Sequence, residues 1–172
     1  MRIPLALSLM LVSASAVGAQ EVRINLEAYR EPVLMDTLRQ NRELKASPAK
    51  VYEATLKAFA ALEIPVGNTV GTAGIIGSER FYRMRTLGGE LLSRSFFCGE
   101  DPTGPNADSH RLEIAVVAYV TPAPSGGGTR LGLAVAAQGR DPAGPYRAPR
   151  PCASTGALER KLHSKIVELA GT

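Results

Sequence analysis

Two stretches of strict alternation constrain this chain more than any other feature. Across residues 111–121, Leu112, Ile114, Val116, Ala118 and Val120 occupy every second position, and across 130–138 Leu131, Leu133, Val135 and Ala137 do the same. Side chains of a strand point to opposite faces with a period of two, so each stretch specifies a strand with one apolar row turned to a core. Residues 122–128, ending in Gly126, Gly127 and Gly128, read as a flexible hairpin connection and not as a phosphate loop, since no Lys-Ser/Thr follows them. The outward positions Ala115, Val117, Tyr119, Gly132, Ala134 and Ala136 are small and only mildly polar. That second face is expected to be covered by another element or by a partner.

The rest of the chain supplies the layers for such a sheet. Ser47 can cap a helix and Pro48 suits its first position, and Tyr52, Leu56, Phe59 and Leu62 then recur at helical spacing. A helix over 48–62 follows, ended by Ile64, Pro65 and Val66. Residues 33–46 read as a strand, 65–70 as a short strand, 71–74 as a turn and 75–87 as a longer strand. Gly88 and Gly89 make a tight hairpin into a return strand over 90–98. Residues 99–109 are an irregular loop, and residues 141–151, with four prolines, lead to a final helix with the stripe Leu158, Leu162, Ile166 and Leu169. The expected fold is α+β: an antiparallel meander of about five or six strands packed against a long C-terminal helix and one earlier helix.

Residues 1–19 read as a secretory signal peptide. Arg2 is the positive start, residues 5–12 the apolar run, and Val17, Gly18 and Ala19 the small residues before the cut. Residues 20–32 form a loosely ordered leader, and 33–172 one domain. No later stretch reaches the roughly 20 apolar residues of a membrane span, so the expected place is secreted, in the periplasm. Losing Arg2 lowers the formal charge of +4 by one, too little to imply nucleic acid. Two cysteines and two histidines at unrelated spacings do not suggest a metal site, and no cofactor motif is present. In an oxidising compartment Cys98 and Cys152 are expected to form a structural disulfide. Counting strands up and down the meander brings both to one end of the sheet. The bond is expected to tie the end of a central strand to the start of the final helix.

The segment with Ser47-Pro48, Val51, Leu56 and Leu62-Glu63-Ile64-Pro65 is similar to the opening of helix-grip domains, such as START-like lipid carriers and the lipoprotein subunits of the outer-membrane barrel-assembly machinery. Phe97-Cys98-Gly99 together with Cys152-Ala153-Ser154-Thr155-Gly156-Ala157-Leu158-Glu159 resembles a group of uncharacterised exported bacterial proteins. The first resemblance implies a curved sheet gripping the last helix, with a carrier's apolar cavity as one use of that space. The second implies no activity.

Candidate chemistry is sparse. Ser154 and Thr155 are read as caps of the final helix, Glu159 and His163 as a surface pair on it, and His110 as an exposed junction residue. Arginines 80, 83, 85 and 94 face the single acid Glu90, and arginines 130, 140, 147 and 150 face the single acid Asp141. Guanidinium forks suit carboxylate and phosphate groups, so Arg80, Arg83, Arg85, Arg94, Arg147 and Arg150 are the candidates for contact with an anion or a partner. No nucleophile and base are placed together. The expectation is a non-enzymatic envelope binding module whose partner is an envelope protein or surface component. The alternative is a carrier of a lipid or other apolar small molecule.

Overall fold

The structure is a computed structural model that describes residues 21–144 and 146–171. The signal peptide read in residues 1–19 lies outside the described residues. In chain order the elements are β1 (Arg23–Ile24), β2 (Val33–Leu34), β3 (Gln40–Leu44), α1 (Pro48–Ala61), β4 (Asn68–Val70), β5 (Ile75–Met84), β6 (Thr86–Leu87), β7 (Glu90–Leu91), α2 (Leu92–Ser95), β8 (Phe96–Phe97), β9 (Glu100–Asp101), β10 (Gly104–Pro105), α3 (Asn106–Ser109), β11 (Arg111–Pro122), β12 (Thr129–Arg140), β13 (Arg150–Ser154) and α4 (Ala157–Ala170). The fold is α+β, as the alternation and the helical stripes predict.

The two alternating stretches form the hairpin at the centre of a seven-stranded antiparallel sheet ordered β4-β5-β11-β12-β13-β8. The far edge of β12 is shared: β3 pairs with Thr129 to Leu133, and β13 pairs with Ala137 to Gly139. Between β5 and β11, Ser78 lies opposite Val116 and Phe81 opposite Ile114, so two residues of β5 bulge against one of β11. The bulge keeps Phe81 on the same face as Ile114, and pairing continues beyond it to Met84 opposite Arg111.

One face of the sheet carries the large side chains. Leu112, Ile114, Val116, Leu131 and Leu133 join Val51, Phe59, Leu158, Leu162 and Ile166 in one core, with α1 and α4 laid over it. The helix stripes set this docking, because residues three and four apart share a helix face. The final stripe closes on Ala170 rather than Leu169, which is exposed. Buried positions 158, 162, 166 and 170 are four apart, and Leu169 falls to one side of them. Ser47 precedes α1 as expected, but it contributes its carbonyl to the Val51 N–H at 3.1 Å and makes no side-chain cap.

The second face is covered from within the chain. The stretch expected to be a loosely ordered leader crosses it, with Ile24, Leu26 and Met35 buried against Ala115, Val117, Tyr119, Ala134 and Ala136. The strand expected over 33–46 is broken by a 3-10 turn at Met35–Leu38, which seats Met35 in that second core. The strap is pinned by polar contacts: Ala28 N donates to Gln138 Oε1 at 2.6 Å, and Tyr29 Oη donates to Ala137 O at 3.1 Å. Arg39 stacks 4.5 Å from the Tyr119 ring centre. It crosses Gly132, where a Cβ would meet Arg39 Cδ at 2.5 Å.

The return strand expected over 90–98 is also corrected. Gly88 and Gly89 do make the hairpin between Thr86–Leu87 and Glu90–Leu91, but the chain then coils into α2 and re-emerges as β8 at the far edge, beside β13. Leu92 and Phe96, four apart and both buried, carry a helical rather than an alternating signal. Cys98 and Cys152 are joined, with a Cα separation of 4.3 Å across 54 residues of sequence. The pairing is as expected, but the anchors are not. Cys98 follows the edge strand β8 and Cys152 lies inside β13, and these antiparallel neighbours hold the thiols together.

Candidate functional site

The 99–110 segment is the part of the chain most changed by tertiary context. Gly and Pro break it into a small β9–β10 hairpin and one turn of α3. The turn is drawn inward: Asn106 N donates to Gly99 O at 3.0 Å, Asn106 Nδ2 donates to Cys98 O at 3.4 Å, and Ser93 N donates to Asp108 Oδ1 at 2.8 Å. Asn106 is left 3 % exposed and His110 9 % exposed. His110 is therefore buried, against the expectation of an exposed junction residue, because the loop folds back over the disulfide.

These two residues line a cleft of about 280 Å³. One wall is Glu100, Asp101 and Pro102, and the other is Asp141, Arg147, Ala148 and Arg150. Gly139 opens it, since a Cβ there would stand 3.6 Å from His110 Nδ1 and 3.5 Å from Cys152 Sγ. Asn106 Oδ1 and His110 Nδ1 are buried atoms with no hydrogen-bond partner among the described residues. Two bonds from Thr103 to Asp101 Oδ1, its hydroxyl at 2.6 Å and its N–H at 2.7 Å, hold the Asp101 carboxyl below its ordinary range, with His110 adding a smaller push in the same direction. On the other wall Asp141 pairs with Arg147 at 3.7 Å. Among the described residues no ion pair occupies Glu100, Asp101 or Arg150, so two uncompensated carboxylates and one guanidinium face the cleft. Neither Ser, Thr, Cys nor Lys lines it.

Arg150 also borders an open apolar shelf of about 480 Å³ formed by Tyr29, Phe97, Cys98, Gly99, Pro151, Cys152 and Ala153. Phe97 is 58 % exposed there. The register separates the two: Arg150 pairs with Gly139 on the helix face, where the cleft lies, whereas Pro151 pairs with Gln138 and Ala153 with Phe97 on the strap face, where the shelf lies.

The six arginines singled out in the sequence do not form one surface. Arg147 and Arg150 meet in the cleft. Arg80 lies in a separate basin of about 200 Å³ with Arg111, Arg140 and Glu113, where it stands 3.5 Å from the Glu113 carboxylate. That basin is knitted internally by Gln138 Nε2 to Glu113 at 2.7 Å and Arg140 to Glu27 at 2.5 Å. Arg83 donates to the Glu63 and Tyr82 carbonyls. Arg85 has a positive φ of 66° and accepts the Leu92 N–H through its carbonyl. Arg94 gives its carbonyl to the Thr155 hydroxyl at 2.6 Å.

The expected hydroxyl cap of α4 is not made: the N-cap is Gly156, in the left-handed region and without a side-chain cap, and the hydroxyls instead close short turns just before the helix, Gly156 N donating to Ser154 Oγ at 3.0 Å and Ala157 N to Thr155 Oγ1 at 3.3 Å. The expected Glu159–His163 surface pair is not one. Glu159 is 4 % exposed and accepts from Ser154 Oγ at 2.7 Å, and His163 Nε2 is buried without a partner. Desolvation, then the charge of Arg42, lowers the His163 pKa. No group of three or more His, Cys, Asp or Glu side chains is arranged to hold a metal among the described residues. No helix among them is long and apolar enough to cross a membrane.

The chain matches no family model and no curated protein sequence. Its site is read from its own geometry. Asn106 was missed in the sequence because a lone Asn in a Pro/Gly-rich loop carries only a turn signal. Its burial is a property of the fold around it.

Proposed function

We propose that this protein is a non-enzymatic binding module of the cell envelope, exported by the signal read in residues 1–19, and that it binds at the disulfide end of its sheet. The supporting observation is the pair of buried, unpartnered atoms Asn106 Oδ1 and His110 Nδ1 in the open cleft. An unsatisfied buried polar group costs about 1–3 kcal/mol, which a ligand group supplying the missing bond would remove. The target is an envelope protein or surface component that presents such a group. Covering of the second sheet face by residues 21–38 removes that face as the docking surface. The carrier alternative gains no specific support from the space between sheet and helices, where Phe59, Ile114, Leu131, Leu162 and Ile166 are buried in one packed cluster.

A photocrosslinking residue placed at Ala148, on the cleft wall, tests this in native envelope extract, with the same residue at exposed Lys50 on α1 as the control. A discrete adduct at 148, absent at 50 and lost on Gly139→Ala, is the expected result. Equal labelling at both positions, or none at 148, overturns the reading.

A further inference from the structure

We propose that the group entering the cleft is a zwitterion of amino-acid size, its ammonium held on the Glu100–Asp101 wall and its carboxylate on the Arg150 wall; this rests on the binding reading above. Three lines of observation converge on it.

The walls are bipolar. Asp101 is kept ionised by Thr103, and Glu100 beside it has no ion pair. Across the cleft the Asp141–Arg147 pair neutralises itself and leaves Arg150 as the available guanidinium. A ligand of one sign would be attracted by one wall and repelled by the other. A ligand with both signs satisfies both.

The cleft adds polar atoms of matching kind. Asn106 Nδ2 is committed to Cys98 O, so the free Oδ1 is an acceptor suited to an ammonium N–H. His110 Nδ1 is also unpartnered, and in the tautomer that carries its proton it donates to a carboxylate. Register explains why Arg150 is available: its cross-strand partner is Gly139, which has no side chain to compete for the same space.

The volume limits the ligand. About 280 Å³ lies at the low end of small-molecule sites and suits an amino acid or a dipeptide.

Calorimetric titration of the purified exported protein with leucine, glycine, leucyl-leucine, N-acetyl-leucine and leucinamide tests this. Leucine or leucyl-leucine is expected to bind one to one, and glycine more weakly because it fills less of the cleft. N-acetyl-leucine and leucinamide are each expected to lose tenfold or more. Arg150→Gln should bring leucine down to the level of leucinamide without changing leucinamide, and Glu100→Gln should bring it down to the level of N-acetyl-leucine. Gly139→Ala fills the cleft at ordinary contact distances without positive-φ strain, so it should abolish binding while the unliganded protein melts unchanged. No binding of either zwitterion at millimolar concentration overturns the proposal, and so does binding indifferent to blocking either end. In that event a persisting adduct at position 148 leaves the binding reading standing, and its absence removes both. Displacement of the adduct by leucine would show that a group presented on the envelope and the free amino acid use the same site.

Discussion

The two faces of the central sheet solve the same problem with opposite materials. On one face, large branched side chains such as Ile114 and Leu133 meet two 14-residue helices. On the other, Ala115, Ala134 and Ala136 meet an irregular strap over residues 21–38. A helix has a diameter of about 10 Å and needs protruding side chains to fill the space beneath it. A strap without helical bulk can lie close, but only over a floor of small residues. The helix face stores most of the apolar burial. The strap face depends more on polar pins, with Gln138 and Tyr29 at one end and the Arg39–Tyr119 stack at the other.

The largest test of this contrast is at the end where both coverings meet. Tyr29 of the strap reaches the backbone of Cys152, whose disulfide belongs to the helix-face core. Replacing Cys98 and Cys152 by serine reopens a 54-residue loop and should cost roughly 4 kcal/mol by the chain-entropy estimate. Urea denaturation measures it, and a loss below about 1 kcal/mol would mean that strand pairing alone closes this end. Next come the faces themselves. Ile114→Ala and Leu162→Ala should each cost about 2–5 kcal/mol. Val117→Ala on the strap face should cost about 1.5–2 kcal/mol, at roughly 0.8 per buried CH₂. Equal losses on both faces would break the comparison.

Hydrogen exchange sharpens it further. The Tyr29 and Met35 amides, bonded within the strap to Leu26 O and Val22 O, should open with a free energy at least about 1.4 kcal/mol below that of the α4 amides, a decade in rate. Coincident exchange would mean that the strap is part of the cooperative core.

The smallest effects are in pH, where the faces respond at opposite ends. Burial, with Asp36 adding to it and Arg39 opposing it, pushes the Tyr119 hydroxyl up to about 12, above its ordinary 10. The folded state therefore holds this proton longer than the unfolded chain. Stability from this group is full below pH 10 and is lost as pH rises from 10 towards 12. Tyr119→Phe should flatten that alkaline loss. On the helix face the His163 pKa is lowered from 6.5, so the unfolded chain takes up the proton first. Its contribution is present above pH 6.5 and falls as pH drops through the lowered value. His163→Gln should remove that part of the acid slope, and an unchanged slope in either variant would place the titration elsewhere.

What was legible in the sequence was local and periodic. The β11–β12 hairpin, α1 and the body of α4 came directly from apolar spacing, because a period of two or 3.6 is imposed by backbone geometry alone. The Cys98–Cys152 pairing was legible from the export signal read in residues 1–19 and from cysteine number, although the strand count that supported it assumed a return strand running to residue 98, which ends at Leu91. His110 and Asn106 were not legible. Nothing local distinguishes an Asn in a solvated turn from one folded down over a disulfide.

By itself, then, the sequence determined which residues form the sheet centre, which helix faces are apolar and which thiols meet. Only the tertiary structure decided what covers the second sheet face, where β8 and β13 pair, and that Glu100, Asn106, His110, Gly139 and Arg150 share one cleft. The physical reason is range. Periodicity and capping act over a few residues, whereas the strap and the cleft join segments distant in the chain, with no repeating signal between them.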